Sequence, residues 1–124
     1  MNASACGQFH EGPEAVAVDY VTATMQGDAA TVDRMVYWGA DIKEHPNEKM
    51  ILEGKVNSSV KNIAKRTRAA GGFSGVKAVS VQLQTVDGYK MATVMVKYRL
   101  NNGESHTEAV KMIEINDKWM AKVG

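Results

Sequence analysis

A chain of 124 residues and 13.5 kDa fits one domain and is long enough to bury a core without disulfide or metal staples. Fifteen basic and fourteen acidic residues leave a net charge of +1, which argues against an electrostatic binder of nucleic acid. The ordinary composition excludes collagen and coiled coil, and no run approaches the roughly 18 apolar residues of a membrane-spanning helix.

Residues 1–11 carry little periodicity and read as a leader or tether, followed by a single domain over 12–124. The only cysteine, Cys6, excludes an internal disulfide. It follows Ala3-Ser4-Ala5, small residues that resemble the end of a bacterial lipoprotein signal peptide. On that reading Cys6 carries a lipid and the protein sits in the bacterial cell envelope, periplasmic or at the surface. If Met1 is the native start, the location is cytoplasmic and Cys6 is an ordinary thiol.

Gly12-Pro13-Glu14 starts a helix, because proline at the first helical position loses no needed hydrogen bond and an early glutamate suits the positive end of the helix dipole. This helix runs over Pro13–Gln26, with Ala17, Val21 and Thr24 in one stripe. Gly27 is a C-cap and Asp28 an N-cap, so a second helix is expected over Ala29–Tyr37. A loop follows over Ala40–Pro46. A third helix is expected from near Glu48 to just before Gly71-Gly72, with Leu52, Val56, Val60, Ile63 and Ala64 at helical spacing. Gly54 inside it marks a bend or a close contact.

The period then changes to two. Val79, Val81 and Leu83 alternate with Ser80, Gln82 and Gln84, and Asp87-Gly88 is a two-residue hairpin turn. That turn pairs Leu83 with Ala92, Val81 with Val94 and Val79 with Val96 in the next strand, Tyr89–Leu100. Asn101-Asn102-Gly103 turns into a third strand over Glu104–Ile115, where the run Val110, Met112, Ile113 around Lys111 suggests a bulge. Asn116-Asp117 leads into a short strand with Trp119, Ala121 and Val123. A two-residue loop there pairs Glu114 with Trp119; a three-residue loop sets Trp119 opposite Ile115, and the sequence leaves both open. Segregated helices and strands mean α+β: N-terminal helices, the third long, packed on a curved four-stranded antiparallel meander in a cone, with the long helix as roof.

The order of segments resembles the cystatin-like superfamily and, within it, the nuclear-transport-factor-two-like fold. The likeness is closest to small bacterial secreted proteins of unknown function related to lumazine-binding-like domains. It rests on Cys6 and its spacer, Pro13-Glu14-Ala15-Val16, the Gln26-Gly27-Asp28 break and the terminal Asn116-Asp117-Lys118-Trp119, and spans about Pro13 to Val123. The resemblance implies a cone that often holds a small molecule, and a sheet that often mediates dimers.

No catalytic constellation stands out. An isomerase- or cyclase-like site needs a carboxylate and a tyrosine inside the cone. Glu114 supplies the carboxylate only under the two-residue turn, and Glu108 reads as a solvated strand edge. His10, His45 and His106 lack partners at ligand spacing. Asp41 and His45 are four apart in a proline-containing loop, and zinc needs three or four ligands; no metal or cofactor is expected. Lys61, Lys65, Arg66 and Arg68 read as a solvated helix face. The candidate pocket residues are Tyr20, Tyr37, Trp38, Tyr98 and Trp119. Gln82, Met91 and Met95, on the half-apolar side of the sheet, form the candidate homodimer face. The sequence thus reads as a non-enzymatic envelope domain that binds a small apolar ligand in the cone or a protein partner across the sheet. The alternative is a small isomerase- or cyclase-like enzyme.

Overall fold

The computed structural model describes residues 12–123; Cys6 and His10 lie outside them. Helix α1 spans Pro13–Gln26 and α2 spans Ala29–Met35. Strand β1, Val36–Tyr37, and a 3-10 turn, Ile42–Glu44, precede α3, Pro46–Ala69. Strands β2 (Phe73–Val86), β3 (Tyr89–Leu100), β4 (Ser105–Ile115) and β5 (Lys118–Lys122) complete the chain. The sheet order is β1-β5-β4-β3-β2. Among the described residues no helix is long and apolar enough to cross a membrane.

The helix boundaries follow from caps. Gly27 adopts a left-handed φ of 76°, and the Asp28 amide donates to the Ala23 carbonyl at 2.9 Å, closing α1 with the six-to-one bond of a Schellman motif. Asp28 then accepts from the Thr31 amide at 3.2 Å and the Thr31 hydroxyl at 2.7 Å, satisfying an orphan donor of α2. Pro46 begins α3, two residues before the expected start. At the other end of α3, the Gly72 amide donates to the Thr67 carbonyl at 2.9 Å. Asn101 fastens this end to the β3–β4 turn, its side-chain amide donating to the Gly71 carbonyl at 2.8 Å.

Four expectations need correction. The sheet is mixed and five-stranded, because Val36 and Tyr37 leave the second helix and pair in parallel with Ala121 and Lys122. A β-branched residue and an aromatic there gain a ladder on the open edge of β5. The roof is α1: it approaches β2, β3, β4 and β5, whereas α3 packs chiefly on α1, α2 and the 3-10 turn, sending Val56 and Ile63 against the core from the side. The bulges lie in β2, not β4. Leu83 faces Ala92 and Val81 faces Val94, but the register shifts between Ala78 and Ser80, so Ala78, not Val79, lies opposite Val96. Val79 is thereby left half exposed. Gly54 marks no close contact, since a Cβ there would meet nothing within 4 Å.

The last hairpin takes the two-residue turn: Asn116 and Asp117 both have positive φ, and Glu114 pairs with Trp119. Strict alternation then sorts the sheet. Ala92, Val94, Val96, Val110, Met112 and Ala121 are buried on the inner face beneath Ala17 and Val21 of α1. Two buried hydroxyls in the helical layer are satisfied locally, Thr24 donating to the Tyr20 carbonyl at 2.8 Å and Thr67 to the Ile63 carbonyl at 2.7 Å. Met91, Met95, Ile113 and Met120 fall on the outer face.

Candidate functional site

Because α3 leans on α1 and not flat on the sheet, a groove remains between α3 and the inner side of β3, β4 and β5. Its volume is about 410 Å³. Val21, Val56, Val60, Ile63 and Val110 form apolar walls, and the polar residues on the lining include Tyr20, Tyr98, Arg66, Lys55 and Glu108, with Thr24, Ser59, Lys111 and Lys122 beside them. Of the five aromatic residues expected to line a pocket, Tyr20 and Tyr98 do so. Tyr37 stands in β1, while Trp38 and Trp119 pack against the core.

The carboxylate on this groove is Glu108. It pairs with Val96 across β3 and β4, and alternation therefore turns it to the inner face. Glu114 lies opposite Trp119, away from the groove lining. Arg66, expected on a solvated face, borders the same space. The β3–β4 pairing could have revealed Glu108 from sequence, since Val96 is an inward position of an unambiguous strand.

Burial pushes the Tyr20 hydroxyl pKa up, and the negative charge of Glu108 adds to that. For Tyr98, burial again comes first and Glu108 second, with Arg66 pulling the other way. Both phenols thus stay protonated through neutral pH and stand as hydrogen-bond donors beside a carboxylate acceptor. Unfolded tyrosines titrate near 10, so the stability tied to these protonated phenols is complete below that pH and is lost as pH rises through their raised folded values. The Tyr98 ring also rests beside His106, with centroids 5.6 Å apart. This set can clasp a polar group on an otherwise apolar molecule.

The His45–Asp41 pair does meet, at 3.5 Å, but on the exposed surface. Among the described residues no group of three or more potential ligands is placed to hold a metal ion. Gln82, Met91 and Met95 share the outer face with Ile113, which is only 5% exposed.

The fold recurs in the crystal structure of a putative NTF2-like transpeptidase from Campylobacter jejuni. That structure superimposes with a TM-score of 0.78 and 19% identity over 92% of this chain and 100% of that chain. At this identity the likeness concerns architecture: three helices on a five-stranded mixed sheet, the nuclear-transport-factor-two-like arrangement. No curated protein sequence gives a significant match. The sequence family described as a domain of unknown function, DUF4878, matches residues 4–122, nearly the whole length, and the chain belongs to that family.

Proposed function

We propose that the protein is a binding domain that holds a small, largely apolar ligand in the groove between α3 and the inner sheet face. The observation that supports this is the groove's make-up: about 410 Å³ of space, apolar walls, and a few convergent polar groups in Tyr20, Tyr98, Arg66 and Glu108. Ligand sites in proteins commonly combine such a volume with such walls. The neutral fluorophore N-phenyl-1-naphthylamine is the test. Its emission should rise and saturate with the protein, and Val56→Trp, which fills the groove from a half-buried position, should weaken it about tenfold or more while circular dichroism stays unchanged. Equal binding by the variant would remove the proposal.

A second surface supports a protein partner. Met91, Met95 and Met120 are half-buried around Ile113 on the sheet face opposite the α1 side, and methionine is enriched where proteins meet. We assign this face to a second copy of the chain. Sedimentation should show a dimer that Met95→Lys dissociates; a monomer at high micromolar concentration would sink the assignment.

A further inference from the structure

The groove continues past Tyr98. A second depression of about 440 Å³ adjoins it, reaching Asn102, Glu104 and His106, and both are bordered by Ile63, Arg66, Tyr98 and Glu108. These four residues form a waist between two lobes. The first lobe has apolar walls with Lys55 on its lining; the second is polar, with Glu104 beside His106 at 3.5 Å. Along α3 the two lobes extend from Lys55 to Ala70, about 22 Å at the helical rise. An extended peptide covers that distance with about six or seven residues.

The waist has a specific chemistry. Arg66 brings only hydrogen-bond donors and Glu108, ionised, only acceptors. Among the described residues neither has an oppositely charged partner within 4.0 Å. Both border the two lobes where these share Tyr98, so a group lying across the waist passes a donor and an acceptor. A hydrocarbon satisfies neither. A carboxylate gains Arg66 but is repelled by Glu108, and an amine gains Glu108 but is repelled by Arg66. A secondary amide satisfies both, its carbonyl accepting from Arg66 and its N–H donating to Glu108.

We propose that the two-lobed groove holds an extended peptide, with one backbone amide between Arg66 and Glu108 and an apolar side chain in the first lobe. This rests on the ligand-binding reading above and names its ligand class. The probe is acetyl-Gly-Ala-Leu-Ala-Ala-Gly-amide, together with a series in which each backbone amide is replaced in turn by an ester, all measured by displacement of N-phenyl-1-naphthylamine from the intact protein. The parent peptide should displace the dye. One ester position should bind about tenfold more weakly, because it loses a hydrogen bond to a charged group, and Glu108→Ala should erase that difference when each peptide's displacement is referred to the variant's own affinity for the dye. If the dye binds but the peptide does not displace it, if the ester series is flat, or if decanamide competes as well as the peptide, the peptide assignment falls and the groove reading stands. If the dye does not bind at all, both fall.

Discussion

Met112→Ala is expected to remove about 3–5 kcal/mol of folding stability, the upper part of the range for a buried methionine. Met112 is fully buried, and its neighbours across the inner sheet face are Ala92 on one side and Ala121 on the other. A large side chain between two small ones is how this layer interdigitates. Truncation would leave three alanines in a row, none long enough to close the void. Natural domains hold only about 5–15 kcal/mol in total, so the variant should melt on the order of 10 °C lower. Urea unfolding measures the loss, and Met95→Ala on the half-buried outer face is the control, expected near 1 kcal/mol. Equal losses would mean that the faces of the sheet are wrongly assigned.

Gly27→Ala tests the joint between α1 and α3. Gly27 has a φ of 76°, and a Cβ there would lie 3.1 Å from the Ala64 Cβ. The left-handed backbone costs a non-glycine residue about 1–2 kcal/mol, and the forced separation of two helices adds about 1 kcal/mol or more. Gly88 supplies the comparison. Its φ is 83°, but a Cβ would meet nothing within 4 Å, so Gly88→Ala should show the backbone part alone. Chemical denaturation of the two variants should separate them by about 1 kcal/mol. Identical losses would refute the close approach of the helices at Gly27.

Local chemistry was the readable part of this fold. Gly27-Asp28 ended one helix and capped the next, and Asp87-Gly88 set a register that holds at Leu83–Ala92 and Val81–Val94. Non-local contacts were not readable. Val36 and Tyr37 continue the helical spacing of α2, and only the edge of β5, far along the chain, draws them into a parallel ladder. The bulge at Val79 shows in the sequence only as two adjacent apolar residues, Ala78-Val79, a break in the alternation too small to be told from ordinary variation. The same limit governed the site. Tyr20 and Tyr98 could be named as aromatic candidates, but their meeting with Arg66 and Glu108 depends on how α3 leans against α1, a packing angle that no periodicity encodes. The waist was therefore invisible, although its carboxylate could have been placed by pairing β4 with β3.

The two rims of the sheet differ, and the difference bears on colloidal behaviour. On one side the two-residue β1 covers β5 and offers almost no free ladder. On the other, β2 presents fourteen residues with no neighbour beyond it among the described residues, a template on which stray strands of other molecules could grow. Its irregularities between Ser74 and Lys77 and between Ala78 and Ser80 interrupt that template, and Lys77 puts an exposed charge between them; kinks and lysines at such borders discourage amyloid-like stacking. The uninterrupted stretch from Ser80 to Val86 carries neither device, which makes it the segment through which a destabilised population of this protein would begin to aggregate.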